Sequence, residues 1–177
     1  MKTFYLTALL FFWTVAYAGA QDFEYGRING DDLGLKEVKF DSSANAVVIR
    51  EFGTSRMDLD QGVLSVVFMY HVKIKILNKN GFNHGNIVIP LRIHKEVDDE
   101  VQELRATTYN FSNGVLARAE LDKKNTFKEK ANKYLNLYKF TMPDLREGSV
   151  IEYSYRVKSP GIFNFRKWDF QGDIPKL

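Results

Sequence analysis

The side chains most often used for metal binding or acid–base catalysis are histidines, and this chain of 177 residues has three of them. They are His71, His84 and His94, and a predicted hairpin would bring two of them fairly close together. No carboxylate or further histidine stands at a ligand spacing such as H-E-x-x-H. We therefore interpret all three as ordinary surface histidines and predict neither a metal site nor a bound cofactor.

Carboxylates are concentrated in two places. Residues 96–103, EVDDEVQE, suggest calcium, but a calcium loop turns around a glycine and this run has none. We interpret it as a solvated entry to a strand. Asp169 and Asp173 would lie roughly 13 Å apart on a strand, beyond the ~5–9.5 Å that glycoside hydrolysis uses. We assign catalysis to neither group.

The chain has no cysteine, which excludes disulfides, thiolate metal sites and a cysteine nucleophile. It also has no glycine-rich phosphate loop and no Ser-His-Asp spacing. We therefore predict no catalytic residues, and we expect that the protein is not an enzyme.

The N-terminus has the three parts of a secretory signal. Lys2 is followed by an apolar run from Phe4 to Val15 and by the small residues Ala18-Gly19-Ala20. The run is too short for a spanning helix, which needs about 20 residues. We predict that residues 1–20 are a signal peptide and that 21–177 remain as a single exported domain, periplasmic or associated with the cell envelope, without a stable membrane span.

A basic stretch interleaved with aromatic residues follows the middle of the chain. Its lysines are Lys123, Lys124, Lys128, Lys130, Lys133 and Lys139, and its aromatic residues include Phe127, Tyr134 and Tyr138. Such interleaving is found in nucleic-acid sites, but export argues against nucleic acid and makes an anionic glycan the more sensible ligand. The preferred interpretation is a solvated face with buried aromatic residues.

Alternating hydrophobic residues predict a long, half-buried strand at 67–77. One face carries Phe68, Tyr70, Val72, Ile74 and Ile76, and the polar face carries Met69, His71, Lys73 and Lys75. Asn80-Gly81 then predicts a tight hairpin, because both residues tolerate positive φ. The return strand would be 86–93.

Other segments extend the β pattern. Further strands are predicted at 45–52, 101–111, 115–121 and 150–158, with a tight turn at Asn113-Gly114 and with Glu152 facing outward. Residues 123–140 are ambiguous: we expect a short helix or loop to about 132, and then a strand. The spacing of strands and turns predicts an all-β fold, an antiparallel β-sandwich.

Several stretches of the sequence are distinctive enough to be compared with a known family. They are HVKIKILNKNGF (71–82), NIVIPL (86–91), RATTYNFSNG (105–114), residues 121–160 with EGSVIEYSY, and WDFQGDIP (168–175). Together they resemble, over essentially all of 23–177, a Bacteroidetes-type bacterial domain of unknown function that precedes transglutaminase-like domains in exported proteins. The resemblance implies a sandwich-like N-terminal domain in the periplasm or cell envelope. Any catalysis would belong to the later domain and its Cys-His-Asp set.

Two functional hypotheses follow from the resemblance. The first is a non-catalytic module that docks a downstream transglutaminase-like domain, in cis or in trans. The alternative is an independent module that binds an envelope glycan or peptide through exposed aromatic residues, with Trp168 and Lys128 as the first residues to test. In the family the chain continues past FQGDIP, so we expect a sandwich that is incomplete at its C-terminus, with Trp168, Phe170 and Ile174 lacking neighbours. We expect the purified domain to be marginally stable or self-associating.

Overall fold

The computed structural model describes residues 23–60, 62–94 and 98–177, and the predicted signal peptide lies outside this part of the chain. The described residues form eight strands: β1 (Ala46–Asp60), β2 (Val63–Ile76), β3 (Asn86–Arg92), β4 (Glu100–Ser112), β5 (Val115–Glu120), β6 (Thr126–Asn132), β7 (Leu135–Thr141) and β8 (Val150–Pro160). One short α-helix, α1 (Gly30–Gly34), and two 3₁₀ helices, Lys79–Gly85 and Lys123–Asn125, accompany them. Among these residues no helix is long and apolar enough to cross a membrane.

The strands form two antiparallel sheets. The larger sheet has the order β1-β2-β8-β4-β5, and the smaller has the order β3-β7-β6. Both sheets contribute to one hydrophobic core: Val72, Ile74 and Ile151 come from the larger sheet, while Ile89 and Phe140 come from the smaller. The predicted all-β sandwich is therefore confirmed, and its core follows the hydrophobic faces that the alternation indicated.

The predicted hairpin at Asn80-Gly81 is wrong. Strand β2 pairs with β1 and β8, whereas β3 pairs with β7. Residues 79–85 form a 3₁₀ helix in which neither Asn80 nor Gly81 has positive φ. Gly81 is needed for a different reason, because a Cβ there would overlap the backbone carbonyl of Asn45. The turn at Asn113-Gly114 is confirmed, with φ values of 51° and 78°.

The ambiguous segment 123–140 is mostly strand. After the short 3₁₀ helix, β6 and β7 form an antiparallel hairpin, so the helix or loop expected up to about residue 132 is wrong. Lysines have no strong strand preference, and this edge strand is held by its backbone pairing with β7 rather than by burial. The strand expected after residue 132 is confirmed as β7.

Residues 161–177 contain no strand and run as a strap along the open side between the two sheets; we call them the C-terminal strap. Gly161 N donates a hydrogen bond to the Leu64 carbonyl, and Arg166 donates to the Pro90 carbonyl on β3. Farther along, the strap returns to β1, where Val48 N donates to the Pro175 carbonyl and Leu177 N donates to the Val48 carbonyl. The strap thus connects both sheets.

The expectation that the apolar residues of the strap lack neighbours is wrong for Trp168 and Ile174. Trp168 is half-buried and occupies the space that a side chain at Gly53 would take. Ile174 packs against the core, whereas Phe170 is exposed to solvent. Trp168 and Ile174 are therefore packed residues of the domain.

Candidate functional site

The most prominent concave feature is a cleft between the inner face of the larger sheet, strand β3 and the C-terminal strap. Its volume is about 610 Å³, within the range of small-molecule sites. The lining includes five aromatic residues: Phe68, Tyr70, Tyr153, Tyr155 and Trp168. The Tyr70 ring centroid lies 5.3 Å from that of Tyr155 and 6.2 Å from that of Trp168, so the rings form one connected surface.

Strand register builds this aromatic wall. Tyr70 on β2 stands opposite Tyr155 on β8, and on its other side it stands opposite Gly53 on β1. Because Gly53 has no side chain, the Trp168 ring can lie directly against β1. The sequence pattern correctly placed the tyrosines on the inner face, but the open space beside them depends on Gly53 and the strap.

Charged groups stand at the margin of the cleft. Glu51 accepts hydrogen bonds from the Tyr70 hydroxyl and from Lys176 Nζ. Arg166 also lines the cleft; its Nη2 donates to Asp99 at 3.2 Å, while its Nε is buried without a partner among the described residues. Asp169 and Asp173 line the same cleft. The cleft therefore offers both signs of charge beside an apolar wall.

The cleft tyrosines are in their neutral form at ordinary pH. Burial is the main cause that raises the pKa of Tyr155 to about 12, and burial raises the pKa of Tyr70 and Tyr153 as well. A tyrosine that holds its proton this firmly is a hydrogen-bond donor rather than a base or a nucleophile. The Tyr155 hydroxyl has no hydrogen-bond partner among the described residues, so it is available to a ligand.

The raised pKa of Tyr155 predicts a loss of stability in alkali. Since the folded state holds the proton more tightly, this contribution is complete below pH 10 and is lost as the pH rises towards about 12. Between pH 10 and pH 12 the free energy of unfolding of the unchanged protein should fall. We expect the fall in Tyr155→Phe to be smaller by about 2 kcal/mol, because this variant has no phenol at position 155 to ionise. Urea denaturation at a series of pH values measures it. Tyr134→Phe, at an exposed position, is the control, and equal behaviour of the two variants would contradict the assignment.

The opposite face of the larger sheet is covered, contrary to expectation. Residues 23–36 lie over it, and they bury His71, Lys73, Lys75 and Glu152. The predictions of an exposed polar face, of a surface histidine at position 71 and of an outward-facing Glu152 are therefore wrong. Alternation identifies the two faces of a strand, but a distant segment of the chain decides whether the polar face meets water.

Glu152 is the centre of this buried polar layer, which we define as His71, Lys73, Lys75, Glu152 and Asp32. Its Oε1 lies 3.0 Å from His71 Nε2, and its Oε2 accepts from Gly26 N and from the Tyr109 hydroxyl, each at 2.9 Å. The Phe23 ring stacks on His71 with centroids 3.8 Å apart. Because the N-terminal residues supply these contacts, the layer fixes them to the sheet.

The two lysines of the layer also bind the N-terminal segment. Lys73 Nζ lies 3.0 Å from Asp32 Oδ2 and donates to the Arg27 carbonyl at 2.7 Å. Lys75 Nζ donates to the carbonyls of Leu33 and Gly148, both at 2.7 Å. Asn29 caps α1 and thereby places Asp32 over the sheet. Because its buried polar groups bond to one another and to backbone groups of the fold, the layer is structural.

The acidic run also behaves differently from the prediction. Residues 95–97 lie outside the described part of the chain, but Asp99 is buried and not solvated. It accepts from Arg92 N at 3.0 Å and from Arg166, and its Oδ1 lies 3.0 Å from His94 Nε2. Asp99 therefore anchors the strap to β3. Within the described ranges no group of three His, Asp or Glu residues could hold a metal ion.

The residues proposed for ligand binding do not lie together. Trp168 lines the cleft, whereas Lys128 lies on β6, 3.9 Å from Asp98. Phe127 and Tyr134 are exposed, so the expected burial of the aromatic residues in the basic stretch is wrong there. His84 lines the cleft, and burial lowers its pKa. Sequence reasoning missed Glu51, Arg166 and Lys176, which only the tertiary fold brings together.

The fold and the cleft define an all-β sandwich domain with a concave, aromatic inter-sheet surface. Residues 64–175, more than half of the chain, match the model of DUF3857, a domain of unknown function with a solved structure. The chain belongs to this family. The matched region spans β2 to the strap, and so it includes most of the cleft.

Two further comparisons add little to the family assignment. A crystal structure of a candidate protease from Parabacteroides distasonis ATCC 8503 is similar with a TM-score of 0.46 and 14% sequence identity. The match covers 68% of this chain and 24% of that protein. At this level the similarity carries no conclusion about activity. No curated protein matches the sequence.

Proposed function

We propose that this protein is an exported, non-catalytic β module that docks a transglutaminase-like domain in the periplasm or cell envelope. The docked domain belongs either to the same polypeptide or to a separate one. The resemblance of the sequence motifs to Bacteroidetes-type domains that precede transglutaminase-like domains supports the choice of partner. The absence of cysteine assigns any thiol chemistry to that partner.

Exposed aromatic residues on the C-terminal strap are the observation that carries the docking proposal. Phe163 is 88% exposed, Phe165 45% and Phe170 80%. Three solvent-facing phenylalanines within eight residues are unfavourable unless a partner covers them. Aromatic residues are enriched at the centres of protein interfaces. The strap is held to both sheets, so it presents these rings on an ordered support.

The proposal is tested by binding to a transglutaminase-like domain taken from a protein in which it follows a DUF3857 domain. Isothermal titration calorimetry should detect association with the purified protein. Phe163→Ser with Phe170→Ser should weaken it by at least about 30-fold, as for a hot spot of about 2 kcal/mol. Phe40→Ser, at an exposed position on the N-terminal side, should leave the affinity unchanged. Absence of binding by the unchanged protein would refute the proposal.

A second candidate function is binding of an envelope peptide or glycan in the cleft. The cleft volume favours it, as do the Tyr155 hydroxyl and the Arg166 Nε, neither of which has a hydrogen-bond partner in the described part of the chain. Peptidoglycan fragments serve as the probe in a pull-down. Binding should be lost in Trp168→Ala and kept in Lys128→Ala, because Lys128 lies outside the cleft. Binding that survives Trp168→Ala would eliminate this candidate.

A further inference from the structure

Strand β1 is an edge strand with a long uncovered side. It stands first in the order of the larger sheet and pairs only with β2. The strap covers its outer edge at Val48. From Gly53 to Leu59, no described residue outside the β1–β2 pair makes a backbone hydrogen bond to the strand. Uncovered edges of this length are sites where another strand can pair.

The backbone groups that point outward from this edge can be identified. The Leu64 carbonyl accepts from Gly161 on the side of β8, and so it points away from β1. Leu59 stands opposite Leu64, and the two therefore form a pair without hydrogen bonds between them. Such pairs alternate along antiparallel strands. The N–H and C=O groups of Met57 and Ser55 consequently point outward, as those of Leu59 do.

The side chains along this edge are unusual for a solvent-exposed strand. Met57 is 58% exposed and Leu59 is 65% exposed on one face. Arg56 and Asp58 share the other face, and neither has an ion-pair partner among the described residues. Their neighbours on β2 are Val67 and Ser65, which supply no charge. Within the described ranges, the edge thus carries one cation and one anion without ion-pair partners, two residues apart.

This charge pattern selects a partner and a register. When two copies of one strand pair antiparallel about a two-fold axis, residues equally far before and after the axis stand opposite each other. An axis at Met57 places Arg56 opposite Asp58 of the second copy, and it does so twice. An axis at residue 56 would place Arg56 opposite itself, and an axis at residue 58 would pair Arg56 with Asp60 but place Asp58 opposite itself. An axis at residue 59 would place Asp58 opposite Asp60, so the axis at Met57 is the one of these that opposes Arg56 and Asp58 without a pair of like charges.

We propose that the protein forms a two-fold dimer in which residues 54–60 of β1 pair antiparallel with the same residues of a second copy, centred on Met57. The outward groups of Ser55, Met57 and Leu59 would supply about six hydrogen bonds between the copies. Opposite charges directly across a strand pair are stabilising, whereas like charges are destabilising. The dimer joins the two larger sheets into one continuous sheet and covers the edge.

Charge reversal tests the partner. Sedimentation velocity of the purified protein should show a concentration-dependent dimer. Arg56→Asp and Asp58→Arg should each weaken dimerisation at least about tenfold, because each opposes like charges twice. The double variant R56D/D58R should restore the dimer, and an equimolar mixture of the two single variants should form a mixed dimer. Arg50→Asp, on the same strand outside the paired segment, is the matched control.

Cysteine substitution tests the register, since the chain has no cysteine of its own. Met57→Cys should cross-link with itself on oxidation, because paired residues at the axis have Cα atoms about 5.5 Å apart, within the range of a disulfide. Ser55→Cys should not cross-link with itself, but it should do so when mixed with Leu59→Cys. An unchanged protein that stays monomeric at roughly 100 µM, or charge-reversal variants that dimerise equally well, would overturn the proposal.

Discussion

Glu152→Ala is expected to lower the free energy of unfolding by about 3–5 kcal/mol, because it removes the shared acceptor of several donors at about 1–3 kcal/mol each. The Glu152 side chain has no exposed surface, and it lies against His71 while accepting hydrogen bonds from Gly26 N and Tyr109. Its removal leaves a part-buried backbone N–H and a buried hydroxyl without their acceptor. Urea denaturation followed by circular dichroism measures the change.

Two further variants separate charge from position. Glu152→Gln keeps the volume and an acceptor oxygen, so it should cost less than the alanine variant while still losing the negative charge beside His71. Glu147→Ala removes an exposed carboxylate in the adjoining turn, and it should change stability by less than about 0.5 kcal/mol. A loss of under 1 kcal/mol in Glu152→Ala would show that the N-terminal residues do not depend on this carboxylate.

Gly81→Ala is the second substitution with a large expected effect, a loss of about 3 kcal/mol. The added Cβ would overlap the Asn45 carbonyl oxygen and lie 3.0 Å from the Asn45 carbonyl carbon. Both atoms are backbone, so no side-chain rotation relieves the overlap, and the 3₁₀ helix must move away from the residue that precedes β1. Thermal and urea unfolding of the variant measure the cost.

A glycine in open space provides the comparison. No atom lies within 4 Å of the position that a Cβ would take at Gly30. Gly30 is the first residue of α1, where alanine has the higher helix propensity. Gly30→Ala should therefore be neutral or slightly stabilising. Equal effects of the two substitutions would mean that the close approach at Gly81 does not constrain the fold.

Local patterns predicted the fold class well but the strand pairing poorly. Alternation over 67–77 and 150–158 identified β2 and β8 and their inner faces, because period-two burial is a property of each strand alone. The hairpin at Asn80-Gly81 failed because Asn-Gly also fits a 3₁₀ turn. Pairing of β2 with β8 joins residues that are 75 to 95 positions apart, as between Lys75 and Val150 and between Ser65 and Pro160, and no local pattern encodes such a partner.

The candidate site was even less predictable. Trp168 and the tyrosines were noted as aromatic residues, but their convergence depends on Gly53 and on the path of the strap. Glu51 and Lys176 are 125 residues apart and meet at 2.6 Å. The buried layer was missed for the same reason: Lys73 looks like a surface lysine until α1 brings Asp32 over it. The one sign in the sequence was Gly53, because a glycine within a strand pattern indicates that another part of the chain packs closely against the strand.

We expect residues 23–36, which cover one face of the larger sheet, to dock late when the chain folds. Its contacts join Tyr25 to Thr107, 82 residues away, and Gly26 to Glu152, 126 residues away. Contacts of such separation form slowly, since the intervening chain must first be ordered. Strand β8 must be in the sheet before the Glu152 carboxylate can accept the hydrogen bond from Gly26 N. We therefore expect residues 23–36, although they are synthesised before the strands that they cover, to reach their place late. Until then the hydrated charges of Lys73 and Lys75 should oppose aggregation through that face of the sheet.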